Sequence, residues 1–259
     1  MKHRDPTNGR RMFSLAAALV AVAALVLAAF VVSGVTTPEG PMNLTQVSTE
    51  RRTPLPASTL ESVAGNVTQL TITGTTVTQA WAGYYGQISG VLTLDNADNK
   101  TLYNWSLTHP EGEIYASTAA VDFRESNVFC YNYTEKFAAD LSLQEYEASL
   151  SISDSDADGV NETFTFGLAH NSFYAGYNAI SANSCAAVHL FGGSGAPSED
   201  FQELLLYDNT SKNVVFATLI NTDKPGFTGD SYDFEMILAE DGHSGDTTPT
   251  TYFFYVELE

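Results

Sequence analysis

"FQELLLYDNTSKNVVFATLI", residues 201–220, sets two apolar runs on either side of a polar break. Residues 201–207 and 213–220 are rich in aliphatic, aromatic and β-branched side chains, the texture of strands. Between them "DNTSKN" supplies the Asx and Ser/Thr chemistry that turns a chain back on itself. A strand–turn–strand unit is the reading, and the same texture recurs on both sides of it. Downstream, "SYDFEMILA" and the closing "TYFFYVELE" read as strands, set off by the turn segments "TDKPGFTGD" and "EDGHSGDTTPT". Upstream, "NVTQLTITGTTVTQAW" alternates polar and apolar residues, residues 87–94 and 101–107 flank the turn "DNADNK", and "EIYASTAAV" and "NETFTFGL" continue the pattern. A short helix is expected within 134–150. Many short strands, regular turns and little helix predict an all-β fold, a β-sandwich of immunoglobulin-like, Greek-key or jelly-roll-like kind. No internal repeat of fixed period interrupts the run from residue 63 to 259. One domain of nearly 200 residues is expected there, with a split near residue 151 as the alternative.

The chain has 259 residues, 44% of them hydrophobic, which excludes a disordered protein. Its charge is uneven. Residues 1–12 carry Lys2, Arg4, Arg10 and Arg11 against Asp5, whereas from Thr53 onward five bases face 28 acids, a net −23. Such a surface repels nucleic acid and attracts cations. It suits either a solvated acidic face or adaptation to high salt, where dense carboxylates stay hydrated and screened.

Residues 13–33, "FSLAAALVAVAALVLAAFVVS", carry no charge. A helix of that length spans a hydrocarbon core of roughly 30 Å. The basic residues before it place the N-terminal tail (1–12) in the cytoplasm and the acidic bulk outside, as a single-pass protein of the cell membrane. "GRRMF" also has the look of a twin-arginine signal, which would give a secreted protein instead. Residues 34–62 are dominated by Pro, Thr and Ser and read as a stalk.

Two cysteines, Cys130 and Cys185, fall in the predicted exterior, where disulfides persist. A bridge would close a loop of about 55 residues and contribute roughly 4 kcal/mol. Two buried thiols are the other reading. Sequons occur at Asn43, Asn66, Asn104, Asn132, Asn161 and Asn209, all outside the membrane in this topology, as a glycosylated exterior requires.

"SDSDADGVNETF", residues 153–164, places Asp154, Asp156 and Asp158 at alternate positions before Gly159. Hard oxygen ligands converging on a tight turn suit calcium, with the Val160 carbonyl and Glu162 as further ligands. Thr165 stands where an EF-hand carries its bidentate glutamate, so the expectation is an isolated calcium loop or an acidic turn. "WAGYYGQISG" gathers Trp81, Tyr84 and Tyr85 between glycines; such rings either plug a core or form a platform on which a sugar stacks. For catalysis the sequence offers little. Ala196 replaces the closing glycine of a nucleophile elbow in "GGSGAP", and the histidines show no metal-ligand spacing; His170 and His189 read as structural. The protein is expected to be non-enzymatic.

Taken in order, "WAGYYGQISGVLTL", "TLYNW", "DADGVNETFTF", "ANSCAAV", "DFEMILAEDG" and "YFFYVEL" resemble a group of uncharacterised archaeal envelope proteins with one N-terminal membrane segment and a β-rich exterior. The resemblance covers most of 75–259. It implies an archaeal, salt-adapted surface protein and carries over no catalytic residue. The functional expectation is a structural or adhesive envelope component, meeting other surface proteins or glycans. A carbohydrate-binding module and a pilin-like filament subunit are the alternatives.

Overall fold

The computed structural model describes residues 36–133, 142–153, 155–241 and 248–259. In chain order these form β1 (Trp81–Gly86), β2 (Val91–Asp95), β3 (Thr101–Ser106), β4 (Gly112–Ser117) and β5 (Val128–Cys130). Two short helices follow, α1 (Leu143–Ser149) and α2 (Val160–Thr163). Then come β6 (Phe173–Ala175), β7 (Asn178–Ile180), β8 (Ala187–Phe191), β9 (Pro197–Asp208) and β10 (Asn213–Leu219). The last strands are β11 (Lys224–Pro225), β12 (Ser231–Tyr232), β13 (Phe234–Ala239) and β14 (Phe253–Leu258). Strand takes 36% of the chain and helix 5%, so the fold is all-β.

The hairpin read from 201–220 is β9–β10, in register from Asn213↔Asp208 to Thr218↔Glu203. It occupies the middle of an antiparallel sheet ordered β14-β4-β10-β9-β5, with β8 also pairing β9. Both faces of that sheet are covered, which is why the run from Phe201 to Asp208 is buried throughout instead of alternating. On one face Leu205, Tyr207, Val214 and Phe216 meet Phe164, Met236 and Leu238. On the other, Leu204, Leu206, Val215 and Ala217 meet Phe123, Phe173 and Ile180. Each of the larger aliphatic and phenylalanine side chains among these contributes about 2 kcal/mol by leaving water.

β1 and β13 pair antiparallel as a separate ribbon over the first face. The outer edge of β13 receives side chains where a further strand would otherwise sit. Ile237 N–H donates to Glu203 Oε2 (2.9 Å), and Thr218 Oγ1 donates to the Glu235 carbonyl (2.8 Å). Polar groups on the central sheet thus satisfy the ribbon's backbone, whose burial would otherwise be costly.

Strands before and after residue 151 share the central sheet: β4 and β5 lie beside β10, β14 and β9. Cys130 at the end of β5 is bonded to Cys185, 55 positions further along the chain, with the Cα atoms 5.0 Å apart. Helix α1 forms where a helix was expected, capped by a box in which Ser142 Oγ accepts from Glu145 N–H and Glu145 Oε2 accepts from Ser142 N–H.

Three stretches differ from their expected form. Residues 66–80 carry strand-like alternation yet no strand, and Leu70 and Ile72 stay exposed. No strand among the described residues lies alongside to pair with them, and a strand without a partner is not stable in water. "NETF" opens as α2 instead of a strand, because Glu147 Oε1 accepts from Val160 N–H (2.8 Å) and Asn161 N–H (3.1 Å) and so supplies the missing helix partner. Within the stretch read as a stalk, Thr36–Glu39 touches the sheet: Pro38 is buried, and Glu39 exchanges both backbone hydrogen bonds with Val256. Beyond it, 40–79 is almost wholly exposed. The apolar stretch 13–33 and the tail 1–12 lie outside the described residues. Among the described residues no helix is long and apolar enough to cross a membrane.

Candidate functional site

The aromatic cluster of "WAGYYG" divides when it folds. Trp81 turns inward: its Nε1 donates to the Asp158 carbonyl (2.7 Å), and its ring lies 6.1 Å from Phe164 and 6.3 Å from Phe216. Tyr84 packs edge-on against Phe254, 5.6 Å away, and burial together with Glu240 pushes its phenol pKa up. Tyr85 faces outward. It joins two rings that sequence reasoning assigned only to turns and strands, Phe227 at 5.0 Å and Tyr232 at 4.8 Å. Tyr85 is 44% exposed and Phe227 52%. Beside them the paired β11–β12 hairpin, through Pro225 and Gly229, walls an open groove of about 310 Å³. Gly192, Gly193, Ser194, Ser198 and Asp200 complete its lining, with Gly193 N–H donating to the Pro225 carbonyl (2.8 Å).

Buried carboxylates pin that hairpin. Asp233 accepts from Asp223 N–H (2.9 Å) through one oxygen and from Ile88 N–H (2.8 Å) through the other. Glu235 Oε1 accepts from Phe227 N–H (2.9 Å), and burial pushes its pKa up. Gln87 Nε2 adds a bond to the Ser231 carbonyl (2.7 Å). Gly226 lets the backbone approach closely here: a Cβ would stand 2.3 Å from the Tyr232 ring and 2.4 Å from Glu235 Oε1, so that one of them would have to shift. The three rings are therefore held on a fixed backbone, as a stacking platform needs.

The acidic loop is part of the core's support. Asp154 lies outside the described residues. Asp156 Oδ2 accepts from Ser153 N–H (2.8 Å), Asp158 accepts from Thr78 Oγ1, and the Val160 carbonyl accepts from Phe164 N–H (2.9 Å). Glu162 Oε2, the Asp156 carbonyl and Glu147 Oε1 all lie within 3.3 Å of the point a Cβ on Gly159 would occupy. Glu147 had no place in the sequence reading, because it reaches the loop from α1. Among the described residues no group of three or more His, Cys, Asp or Glu forms a metal cluster.

A second group of acids sits on the other face of the sheet. Glu113 on β4 lies directly opposite Glu257 on β14, and both are buried. Burial, then the neighbouring Glu257 and Glu259, push the Glu113 carboxyl up to about 9. Burial also raises Glu257, to about 7, against hydrogen bonds from Gly176 N–H, Thr36 Oγ1 and Tyr115 OH. Glu113 Oε2 has no hydrogen-bond partner among the described residues. The pair is closed to solvent, so it acts on stability and not on an external substrate.

His170 is structural, as its sequence surroundings suggested. It is buried, its Nδ1 donates to the Asn171 carbonyl (2.8 Å) and its Nε2 accepts from Cys185 N–H (3.0 Å), which fixes the neutral tautomer beside the disulfide. Burial pushes its pKa down. His189 Nε2 bonds the Ala169 carbonyl (2.6 Å). His243 lies outside the described residues. Of the sequon asparagines, Asn43, Asn66, Asn104, Asn161 and Asn209 are exposed and Asn132 is half-buried. The chain matches no family model, and no curated protein or solved structure is similar to it.

Proposed function

We propose that this chain is a non-enzymatic envelope protein, held in the membrane by residues 13–33, whose disulfide-stapled β-domain is displayed outside the cell and adheres to glycans through Tyr85, Phe227 and Tyr232. The observation that carries the reading is the rigid three-ring surface beside a groove lined by Ser194, Ser198 and Asp200. Sugar rings stack on exposed aromatic faces, and hydroxyls and carboxylates at the edge bond their hydroxyl groups. The order basic tail, apolar stretch, polar run and acidic domain supports the topology. Exposed sequons support a glycosylated exterior, and the motif order likened above to archaeal envelope proteins supports a salt-adapted source. The ribbon β1–β13 laid over the central sheet supports a sandwich-like layering.

The test is glycan-array binding by the full chain in high salt, repeated with Phe227→Ala and Tyr232→Ala. Each substitution is expected to weaken binding about tenfold, the loss of one stacked ring. A wild-type chain that binds no glycan, or variants that bind as well as it does, would overturn the reading.

Calcium enters as a structural ligand of the acidic loop. The carboxylates of Asp156, Asp158 and Glu162, set within one short turn, favour it, since calcium takes hard oxygen ligands at 2.3–2.6 Å. Calorimetric titration should give a saturable signal that Glu162→Gln weakens. Identical titrations of the two proteins would leave the loop an acidic turn.

A further inference from the structure

The β2–β3 hairpin is the part of the fold with the least support. It forms a two-stranded sheet by itself, and every residue of β3 is exposed. Its register puts Leu92 opposite Trp105 and Leu94 opposite Tyr103, so these four side chains share one face. Leu94 is 49% exposed, Tyr103 61% and Trp105 49%, with the two rings 5.0 Å apart. Thr93 and Asn104, also directly paired, occupy the opposite face. A two-stranded hairpin is marginal in water; a third strand or a packing layer is what stabilises one.

The same chain exposes a segment with the matching pattern. In "QLTIT", residues 69–73, Leu70 and Ile72 alternate with Gln69, Thr71 and Thr73, and Leu70 and Ile72 are 57% and 84% exposed. Their two-residue spacing is that of Leu92 and Leu94. Charge says where a second copy would approach. In a chain of net charge −20, no charged residue occurs between Glu61 and Asp95, a stretch that contains this segment and β2 as far as Leu94; β3 is uncharged as well. Two like-charged copies meet there without burying or opposing carboxylates. A glycan on Asn104 would project from the polar face and leave the apolar face open.

We propose that residues 69–73 of one copy add as a third strand along the outer edge of β3 in a second copy. Backbone hydrogen bonds supply the affinity, and Leu70 and Ile72 extend the apolar face of Leu92, Leu94, Tyr103 and Trp105. Donor and acceptor are different surfaces of one chain, so the contact is head to tail and generates open rows of copies.

The experiment is sedimentation of the full chain in detergent and high salt across a concentration series, with Ile72→Asp (donor lost) and Tyr103→Asp (acceptor lost). The wild type should form concentration-dependent oligomers. Each variant alone should be monomeric, with association weakened at least tenfold and thermal melting unchanged, because both positions are exposed. Mixing the two variants should restore a 1:1 dimer and nothing larger, since each supplies the half that the other lacks. Oligomers that survive both substitutions, a mixture that stays monomeric, or a wild type that is monomeric throughout would overturn the proposal. The last outcome would follow if the segment closed onto its own hairpin. Glycan binding is expected to persist in both variants, so a failure here is separate from a failure of the adhesive reading.

Discussion

Replacing Glu113 with glutamine should make the protein more stable, by an amount that depends on pH. The folded state holds a proton on Glu113 up to about pH 9, whereas the unfolded chain releases it near 4.5. A carboxyl whose pKa is raised by folding contributes full stability below the unfolded value and loses it as pH climbs to the folded one. At 1.36 kcal/mol per pH unit, the wild type loses about 3 kcal/mol between pH 4.5 and 7 through this group, and about 6 kcal/mol by pH 9. Glutamine keeps the volume and cannot ionise, and its amide can donate to Glu257 across the strand pair. Glu113→Gln should therefore match the wild type near pH 4 and exceed it by about 3 kcal/mol at pH 7. For a domain of this size that is a rise of about 6–12 °C in melting temperature. Thermal melts of both proteins at pH 4, 7 and 9 in high salt measure it. Equal melting temperatures at pH 7 would refute the reasoning, because they would mean that Glu113 is charged or solvated in the fold.

Reduction of the disulfide, or Cys130→Ser with Cys185→Ser, should cost about 4 kcal/mol and lower the melting temperature by about 8–16 °C; a fall under 2 °C would show that the 55-residue loop is held without it. His170 works on the acid side: its folded pKa lies below the unfolded value of 6.5, so stability is lost as pH falls through that range. His170→Gln should flatten the slope of unfolding free energy against pH below 6.5, as read by denaturant titration, and an unchanged slope would place the proton elsewhere. Asp233→Ala removes the acceptor of two backbone N–H groups and should cost about 2–4 kcal/mol while loosening the 223–232 hairpin. Hydrogen exchange at Asp223 and Ile88 is the readout, and protection equal to the wild type would argue against the clamp.

What could be read from the sequence was what neighbours along the chain decide. The runs around "DNTSKN" became β9 and β10, "EIYAS" fell within β4 and "FFYVEL" became β14, because apolar content and turn residues act over a few positions. The cysteines paired because both lie in segments that the sheet brings together. The misses are tertiary. Residues 66–80 look like a strand, but among the described residues no strand of the same copy lies alongside to pair with them. Residues 160–163 became helical through Glu147, 13 positions away, which no window of local pattern contains. The grouping of the aromatic rings was half legible. Tyr85 was chosen, but its partners are Phe227 and Tyr232, whose only local signal is an aromatic set in the Gly-rich turn "KPGFTGDSY". Trp81 carries the same residue-level signal as Tyr85, and its inward rotamer follows from Phe164 and Phe216 instead. Glu113 and Glu257 each left a trace as an acid inside an apolar run; that they oppose one another is a matter of register.

The single bridge between Glu39 and Val256 has a mechanical consequence. If the protein is tethered at residues 13–33, a load on the domain enters at Thr36–Glu39, beside the edge strand β14. Among the described residues, one pair of backbone hydrogen bonds, the Thr36–Glu257 contact and the buried Pro38 resist there, and pulling would peel them apart in turn instead of shearing a long ladder. Once they part, residues 40–79 pay out as slack: at about 3.3 Å each they extend on the order of 130 Å before tension reaches β1. The clip would then act as a release that lengthens the tether under strain and leaves the disulfide-closed core untouched.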